Sequence, residues 1–305
     1  MAGALEAQSL AKRYRKKWAL QDCSFVLPKG RIAALVGPNG AGKTTLLHIA
    51  VGLLEPTAGS VHVLGGKPAE NEEMLSRVGF VAQDTPLYDN FTGADLISFG
   101  YHTNRTWDGE FAQERLAALQ IPLDQRASTL SGGQRAQLAL ALALAKRPEL
   151  LLLDEPLASL DPLARREFLG TLMESAAEYE ITVLLSSHLI TDLERVCDYL
   201  MILSNGRLQL GGSIEDLVEQ HRVLIGPRRT GVKHHAISGV AQVLDESVAG
   251  RQETLVVRVD GPIIDPKWEE YEVTLEDIVL AYLGQKDAPA ETKKNVRAVA
   301  ARKAQ

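Results

Sequence analysis

Short apolar runs, separated by glycine-rich and polar turns, alternate with amphipathic stretches through the first two-thirds of the chain. Arg31-Ile32-Ala33-Ala34-Leu35-Val36 and Leu150–Leu153 are nearly unbroken in apolarity, the pattern of strands buried on both faces of a parallel sheet. Ile181–Leu185 reads the same way, and Ala19–Leu27, Val61–Leu64 and Val78–Ala82 are shorter strand candidates. Helical spacing follows the first run at Leu46, Leu47, Ile49 and Ala50, and returns over Asn71–Arg77, Phe111–Leu119, Ala164–Tyr179 and Asp192–Val196. Leu130-Ser131-Gly132-Gly133-Gln134 opens a further helix that runs to about Ala145 and is stopped by Pro148. Between residues 84 and 145 the strands give way to helices, which predicts a helical insertion in an α/β core. Tyr199–Leu203 and Leu208–Leu210 flank Asn205-Gly206, a two-residue hairpin signal.

The pattern changes after Glu219. Gln242–Ser247 and Thr254–Val259 predict antiparallel strands, and Thr274–Leu283 predicts a helix with Thr274 and Asp277 as a capping pair. Residues 286–305 are rich in Ala, Lys and Arg without an apolar face and predict a mobile tail. The expected divisions are therefore a principal domain over 4–220, a small α+β accessory region over 221–285, and the tail.

Composition narrows the class. The 305 residues, 45% of them hydrophobic, can bury a full core in one large domain or two smaller ones. With 33 Lys plus Arg against 39 Asp plus Glu, no basic excess exists to neutralise a nucleic-acid backbone, and no nucleic-acid partner is expected. Cys23 and Cys197 lie far apart and outside metal-ligand spacing, which suits buried thiols in a reducing compartment. Residues 1–17 show no apolar h-region, and no apolar run approaches the roughly 18 residues of a membrane span. Any membrane role is expected to come through a partner.

The candidate chemistry centres on Gly37, Pro38, Asn39, Gly40, Ala41, Gly42, Lys43 and Thr44, a G-x-x-x-x-G-K-T loop between a strand and a helix. Glycines let successive backbone N–H groups turn inward into an anion nest, and the helix beginning near Gly42 adds its positive end. Lys43 then reaches β- and γ-phosphates, and Thr44 offers a hydroxyl to Mg²⁺. Asp154 and Glu155 close the apolar strand Leu150–Leu153. The first is placed to help hold Mg²⁺, the second to polarise a water for in-line attack. Ser131-Gly132-Gly133-Gln134 is a second hydroxyl-and-amide element at a helix start. One γ-phosphate cannot easily serve both elements of one subunit, so two subunits facing head to tail are expected. Gln83 and His188 end strands where they can touch Mg²⁺, the attacking water or the γ-phosphate. Tyr14, in the basic stretch Lys12–Lys17, reads either as a surface aromatic or as a platform for a base.

The ordered set Gly37–Thr44, Gln83, Leu130–Gln134, Leu150–Glu155, Ser159-Leu160-Asp161 and His188 resembles the nucleotide-binding subunit of an ABC transporter over roughly residues 4 to 220. The resemblance implies a P-loop NTPase cassette with a mixed sheet core, an antiparallel β subdomain and a helical subdomain. It implies ATP and Mg²⁺ as cofactors and ATP hydrolysis as the activity. Tyr14 is then the adenine-stacking aromatic, Thr45 part of the phosphate loop, Gln83 the coupling glutamine, Glu155 the base and His188 the switch histidine, with Asp161 in a loop crossing a cassette dimer. It also implies a transmembrane permease and a second cassette as partners, and a place on the inner face of the cell membrane. Thr274–Leu280 resembles the ending of cassettes paired with bacterial drug, lantibiotic or polysaccharide exporters, and Ser186-Ser187-His188 followed by Asp192-Leu193-Glu194 suits that branch. This implies export of a drug-like, peptide or lipid or polysaccharide substrate, while Gln134 and Leu157–Asp161 suit importers equally. A soluble ABC-type ATPase of ribosomes or DNA fits less well. Only one cassette is present, and Thr45 to Thr129 holds no sustained heptads. A nucleotide-gated regulatory subunit is the third class. Leu87, Tyr88 and Phe91, after Gln83, are expected either to pack within the insertion or to line a groove for a permease helix.

Overall fold

The computed structural model describes residues 3–188, 190–228 and 237–285. They fall into two compact units, one of residues 3–188 with 205–207 and one of 190–204 with 208–228 and 237–285. The tail expected over 286–305 lies outside the described residues.

The first unit begins with strands β1 (Leu5–Tyr14), β2 (Lys17–Leu27) and β3 (Ile32–Val36), helix α1 (Lys43–Ala50), strand β4 (Ala58–Val63), helix α2 (Glu72–Arg77) and strand β5 (Val78–Val81). Helices α3 (Gly93–Thr103), α4 (Gly109–Ala118) and α5 (Gly132–Ala145) follow, then β6 (Leu150–Leu153), α6 (Pro162–Glu178) and β7 (Thr182–Ser187). Four of the strands, in the order β5-β6-β7-β3, run parallel. Their apolar runs are buried as the pattern requires: Leu150 to Leu153, Val183 to Leu185 and Ala33 to Leu35 are each fully covered. Parallel register brings the far ends of β5, β6, β7 and β3 level, since Val81 pairs with Leu153, Leu153 with Leu185, and Leu35 with Ser186. Loops leaving that edge carry the candidate chemistry.

An antiparallel sheet of order β2-β1-β4 stands apart in sequence character. The helical stretch is punctuated by caps. Thr92 and Asp95 form a capping box on α3, Asp108 caps α4, and Asp161 with Pro162 opens α6. Residues 84–92 hold no helix or strand. There Phe91 and Phe99 both stand against Tyr88, at 5.0 and 5.5 Å between ring centroids for Phe91 and Phe99 respectively. The rings pack on one another as one alternative required, yet Tyr88 stays 57% exposed.

The second unit holds β8 (Tyr199–Ser204), β9 (Arg207–Ser213), α7 (Ile214–Glu219), β10 (His221–Pro227), β11 (Val240–Ala249), β12 (Gln252–Val259), β13 (Glu269–Tyr271) and α8 (Leu275–Gly284). Asn205 and Gly206 join β8 to β9 with φ of 49° and 72°, the two left-handed positions of a type I′ hairpin turn. A four-stranded sheet of order β11-β12-β10-β13 covers a core of Leu224, Ile237, Leu255, Val257 and Trp268. Thr274 and Asp277 form the expected capping box on α8.

The structure departs from the sequence reading at Asp192–Val196, which is a run of turns rather than a helix. Bonds from Leu193 and Glu194 N–H to Ile190 O start a turn there, but five residues are too few to sustain a helix. No helix among the described residues is long and apolar enough to cross a membrane.

Candidate functional site

A cavity of about 450 Å³ opens in the first unit, lined by Tyr14, Lys17, Ala19, Asn39, Gly40, Ala41, Gly42, Lys43, Thr44, Thr45, Gln83 and Glu155. The loop after β3 makes its floor. Gly40 and Gly42 adopt φ of 79° and 110°, backbone that an L side chain rarely tolerates. Gly42 is the N-cap of α1, and no side chain caps the helix. Its first N–H groups are therefore left for an anion, reinforced by the helix dipole.

Lys43, though only 6% exposed, carries its ammonium into this concavity. Nζ donates to Gly37 O at 2.6 Å and, more weakly, to Pro38 O at 3.4 Å. It also lies 3.1 Å from Glu155 Oε1. That contact has the distance of an ion pair but not the alignment of a hydrogen bond, for Oε1 has no hydrogen-bond partner. The cation of the glycine loop and the carboxylate at the end of β6 thus converge across the cavity.

Glu155 is held in an unusual state. Its φ is 48°, in the left-handed region that costs a non-glycine residue free energy, and it is 8% exposed. Its Oε2 lies 2.8 Å from His188 Nδ1. Its backbone N–H donates to Ser186 Oγ at 2.8 Å, and Ser186 Oγ in turn donates to Asp154 Oδ1 at 2.7 Å. Asp154 and Ser186 are completely buried or nearly so.

The structure brings together Tyr14, the loop from Asn39 to Thr45, Gln83 and Glu155 at the cavity, with His188 and Asp154 joined to it through Glu155 and Ser186. Gly37 and Pro38 contribute the carbonyls that hold Lys43. Ser131, Gly132, Gly133, Gln134 and Asp161 do not line the cavity. Ser131 and Gln134 close a capping box on α5, each side chain accepting the other's backbone N–H, and Ser131 and Gly132 stay exposed. Asp161 accepts from Leu163 and Ala164 N–H at the start of α6. Lys17, Ala19 and Ser186 are site residues that sequence reasoning did not single out. The sequence reading met Ser186 only as part of Ser186-Ser187-His188, at the end of an apolar strand, and gave it no role in the site.

The donor set suits Mg²⁺. Thr44 hydroxyl, Gln83 amide oxygen and Asp154 carboxylate are hard oxygen donors of the kind Mg²⁺ takes, one carboxylate among them. Mg²⁺ bound with substrate phosphates needs no all-protein cage, and among the described residues no cluster of three or more His, Cys, Asp or Glu is poised for a metal.

A glycine-loop anion nest on a parallel sheet, facing an acidic strand end, defines a P-loop nucleoside-triphosphate cassette. The family model described as ABC transporter matches residues 20–158. The chain is 33% identical over 223 residues to the uncharacterised ABC transporter ATP-binding protein YxlF of Bacillus subtilis, spanning 72% of this chain and 74% of the relative. It is 35% identical to the sulfate/thiosulfate import ATP-binding protein CysA of Synechocystis, over 69% of this chain and 61% of that one. It is 36% identical to the Nod factor export ATP-binding protein I of Neorhizobium galegae, over 71% of this chain and 64% of that one. A solved ATP-binding subunit of an ABC transporter superposes with a TM-score of 0.64 at 29% identity, covering 71% of this chain and 92% of that one. The chain belongs to the family of ABC transporter ATP-binding proteins.

Proposed function

We propose that the chain binds ATP with Mg²⁺ in the cavity between Tyr14 and Glu155, hydrolyses it within a head-to-tail pair of cassettes, and thereby drives a separate transmembrane permease. The observation that carries this reading is the convergence of Lys43 Nζ and Glu155 Oε1 at 3.1 Å over a glycine loop with free helix N–H groups.

Tyr14 stacks on adenine at the cavity rim, and Lys17 and Ala19 flank it. The loop amides from Gly37 to Gly42 and the start of α1 hold the phosphates, with Thr45 beside them. When phosphate arrives, Lys43 exchanges Glu155 for the β- and γ-oxygens, and the released carboxylate accepts a proton from the attacking water. Thr44, Asp154 and Gln83 are the residues that would hold Mg²⁺. Bound there, the ion would supply neutralisation of phosphate charge. His188, within hydrogen-bond distance of Glu155, orients that base and reaches the γ-phosphate. Ser131 to Gln134 and Asp161 act across the pair, on the partner cassette's nucleotide.

Residues 4–220 form the cassette in this reading, and 221–285 an accessory domain without phosphate chemistry. The exposed Tyr88, backed by Phe91 and Phe99, is the permease contact, which would hold the chain on the inner face of the membrane. We assign export as the direction, on the resemblance of Thr274–Leu280 to exporter cassettes. The similarity to an import protein favours uptake as a second reading. Accumulation against efflux in vesicles carrying the native permease decides between them.

Lys43→Ala tests the nucleotide site. Loss of a charge aimed at the phosphates should weaken ATP binding about tenfold or more and abolish turnover, read by nucleotide titration and phosphate release. Wild-type affinity in Lys43→Ala would remove this loop from the mechanism.

A further inference from the structure

We infer that Ser186 is a positioning residue for hydrolysis, whose single hydroxyl sets both the metal-binding carboxylate and the catalytic base. This rests on the reading of Asp154 and Glu155 given above.

Three observations carry it. Ser186 is fully buried at the penultimate position of β7, so its hydroxyl has no solvent to satisfy it. It donates to Asp154 Oδ1 at 2.7 Å and accepts from Glu155 N–H at 2.8 Å. Glu155 sits at φ 48°, where the chain leaves β6 and the parallel ladder with β7 has ended at Leu153 and Leu185.

Each bond has a separate consequence. Beyond Leu153 the backbone of β6 turns away, and the buried N–H of Glu155 needs an acceptor. Ser186 Oγ supplies it and so holds the left-handed backbone that aims the glutamate at Lys43 and His188. The hydroxyl hydrogen then has one direction left, toward Asp154. A carboxylate fixed by such a bond presents its metal-facing lone pairs in one orientation. Outer partners of this kind change metal affinity or rate when removed, by roughly 10–100-fold. The adenine and phosphate-loop contacts do not pass through Ser186, so nucleotide binding without metal is independent of it.

The test uses the full-length chain in three forms, wild type, Ser186→Ala and Ser186→Thr, with Glu155→Gln as control. Steady-state ATPase is measured against Mg²⁺ concentration, and binding of a fluorescent ATP analogue is measured in EDTA. Ser186→Ala is expected to lose roughly tenfold or more in kcat and to need severalfold more Mg²⁺ for half-maximal rate. Its metal-free nucleotide affinity should stay within about twofold of wild type, since Tyr14 and the loop are untouched. Ser186→Thr keeps the hydroxyl and should recover most of the loss. Wild-type kcat and Mg²⁺ dependence in Ser186→Ala overturn the inference, and so does equal loss of metal-free binding, which would mark Ser186 as merely structural. The control separates the two readings: if Glu155→Gln turns over like wild type, the assignment of the base fails first. If Glu155→Gln is inactive while Ser186→Ala is unimpaired, only the role of Ser186 falls.

Discussion

Tyr14 ends β1 with its ring 47% exposed, and Lys12 Nζ stands 5.4 Å from the ring centroid. A half-exposed aromatic at a cavity rim gains by covering its face with a base. Tyr14→Ala should therefore weaken ATP binding by ~1–3 kcal/mol, taking base–aromatic stacking as the guide. Titration with ATP reads this directly, and equal affinity in the variant would leave Tyr14 as a surface residue. Residues of the site differ in how well the sequence announced them. Gly37 to Thr44 were legible because the chemistry needs those residue types at adjacent positions, where backbone N–H groups form the site. Asp154 and Glu155 were legible because they close an unbroken apolar run. Ser186 was not, since a serine at a strand end is common. Its role exists only once β6 and β7 lie parallel and bring positions 32 residues apart into contact.

Among the elements, the buried strands were read most easily. Leu150–Leu153 contains no polar residue and lies wholly in the core. The strand β1 was missed because its alternation is broken. Its pairing with β2 shifts register between Ala7 and Leu10 and again near Lys12, and Ser9 takes φ 45°. Its basic end then reads as a solvated charge run. The strand β10 was missed too, since His221 and Arg222 mask its start. Yet His221 is fully buried, with Nδ1 2.6 Å from Leu217 O on α7 and Nε2 3.1 Å from Tyr282 Oη on α8. Burial pulls its pKa below the usual 6.5, against the hydrogen bond that its Nδ1–H donates to Leu217 O, with Arg258 and Arg222 adding to the fall. Folding therefore disfavours the protonated ring. The sign follows from proton uptake: below pH 6.5 the unfolded chain binds a proton that the folded chain refuses. Stability from this site is present above pH 6.5 and is lost as pH falls through the lower folded value. The melting temperature should drop in wild type as pH falls below 6.5, and His221→Phe should flatten that slope. An equal slope in both would exclude His221 as its source.

At the scale of the whole molecule, two compact units share one chain, and every residue lining the cavity lies in the first. The change of pattern after Glu219 was visible in the sequence as a shift from buried runs to short alternating strands. The compact units first part after His188, because residues 190–204 and 208–213 group with the second unit while 205–207 stay with the first. Sequence spacing has no way to report such grouping, which depends on which distant strands meet. What spacing did suggest is that Ser131–Gln134 serves another copy. Ser131 and Gly132 of that segment are exposed at the start of α5, and none of its four residues lines the chain's own cavity. In the proposed pair, ATP held between two cassettes would stabilise the dimer by mass action, and stopping hydrolysis should trap it. The most direct measurement is light scattering of Glu155→Gln with and without ATP, beside phosphate release. The account predicts no turnover and an ATP-dependent doubling of mass, and predicts that adding Ser131→Arg to the same chain abolishes the doubling while nucleotide still binds. Turnover at the wild-type rate in Glu155→Gln, or a dimer that forms undiminished with Ser131→Arg present, would contradict it.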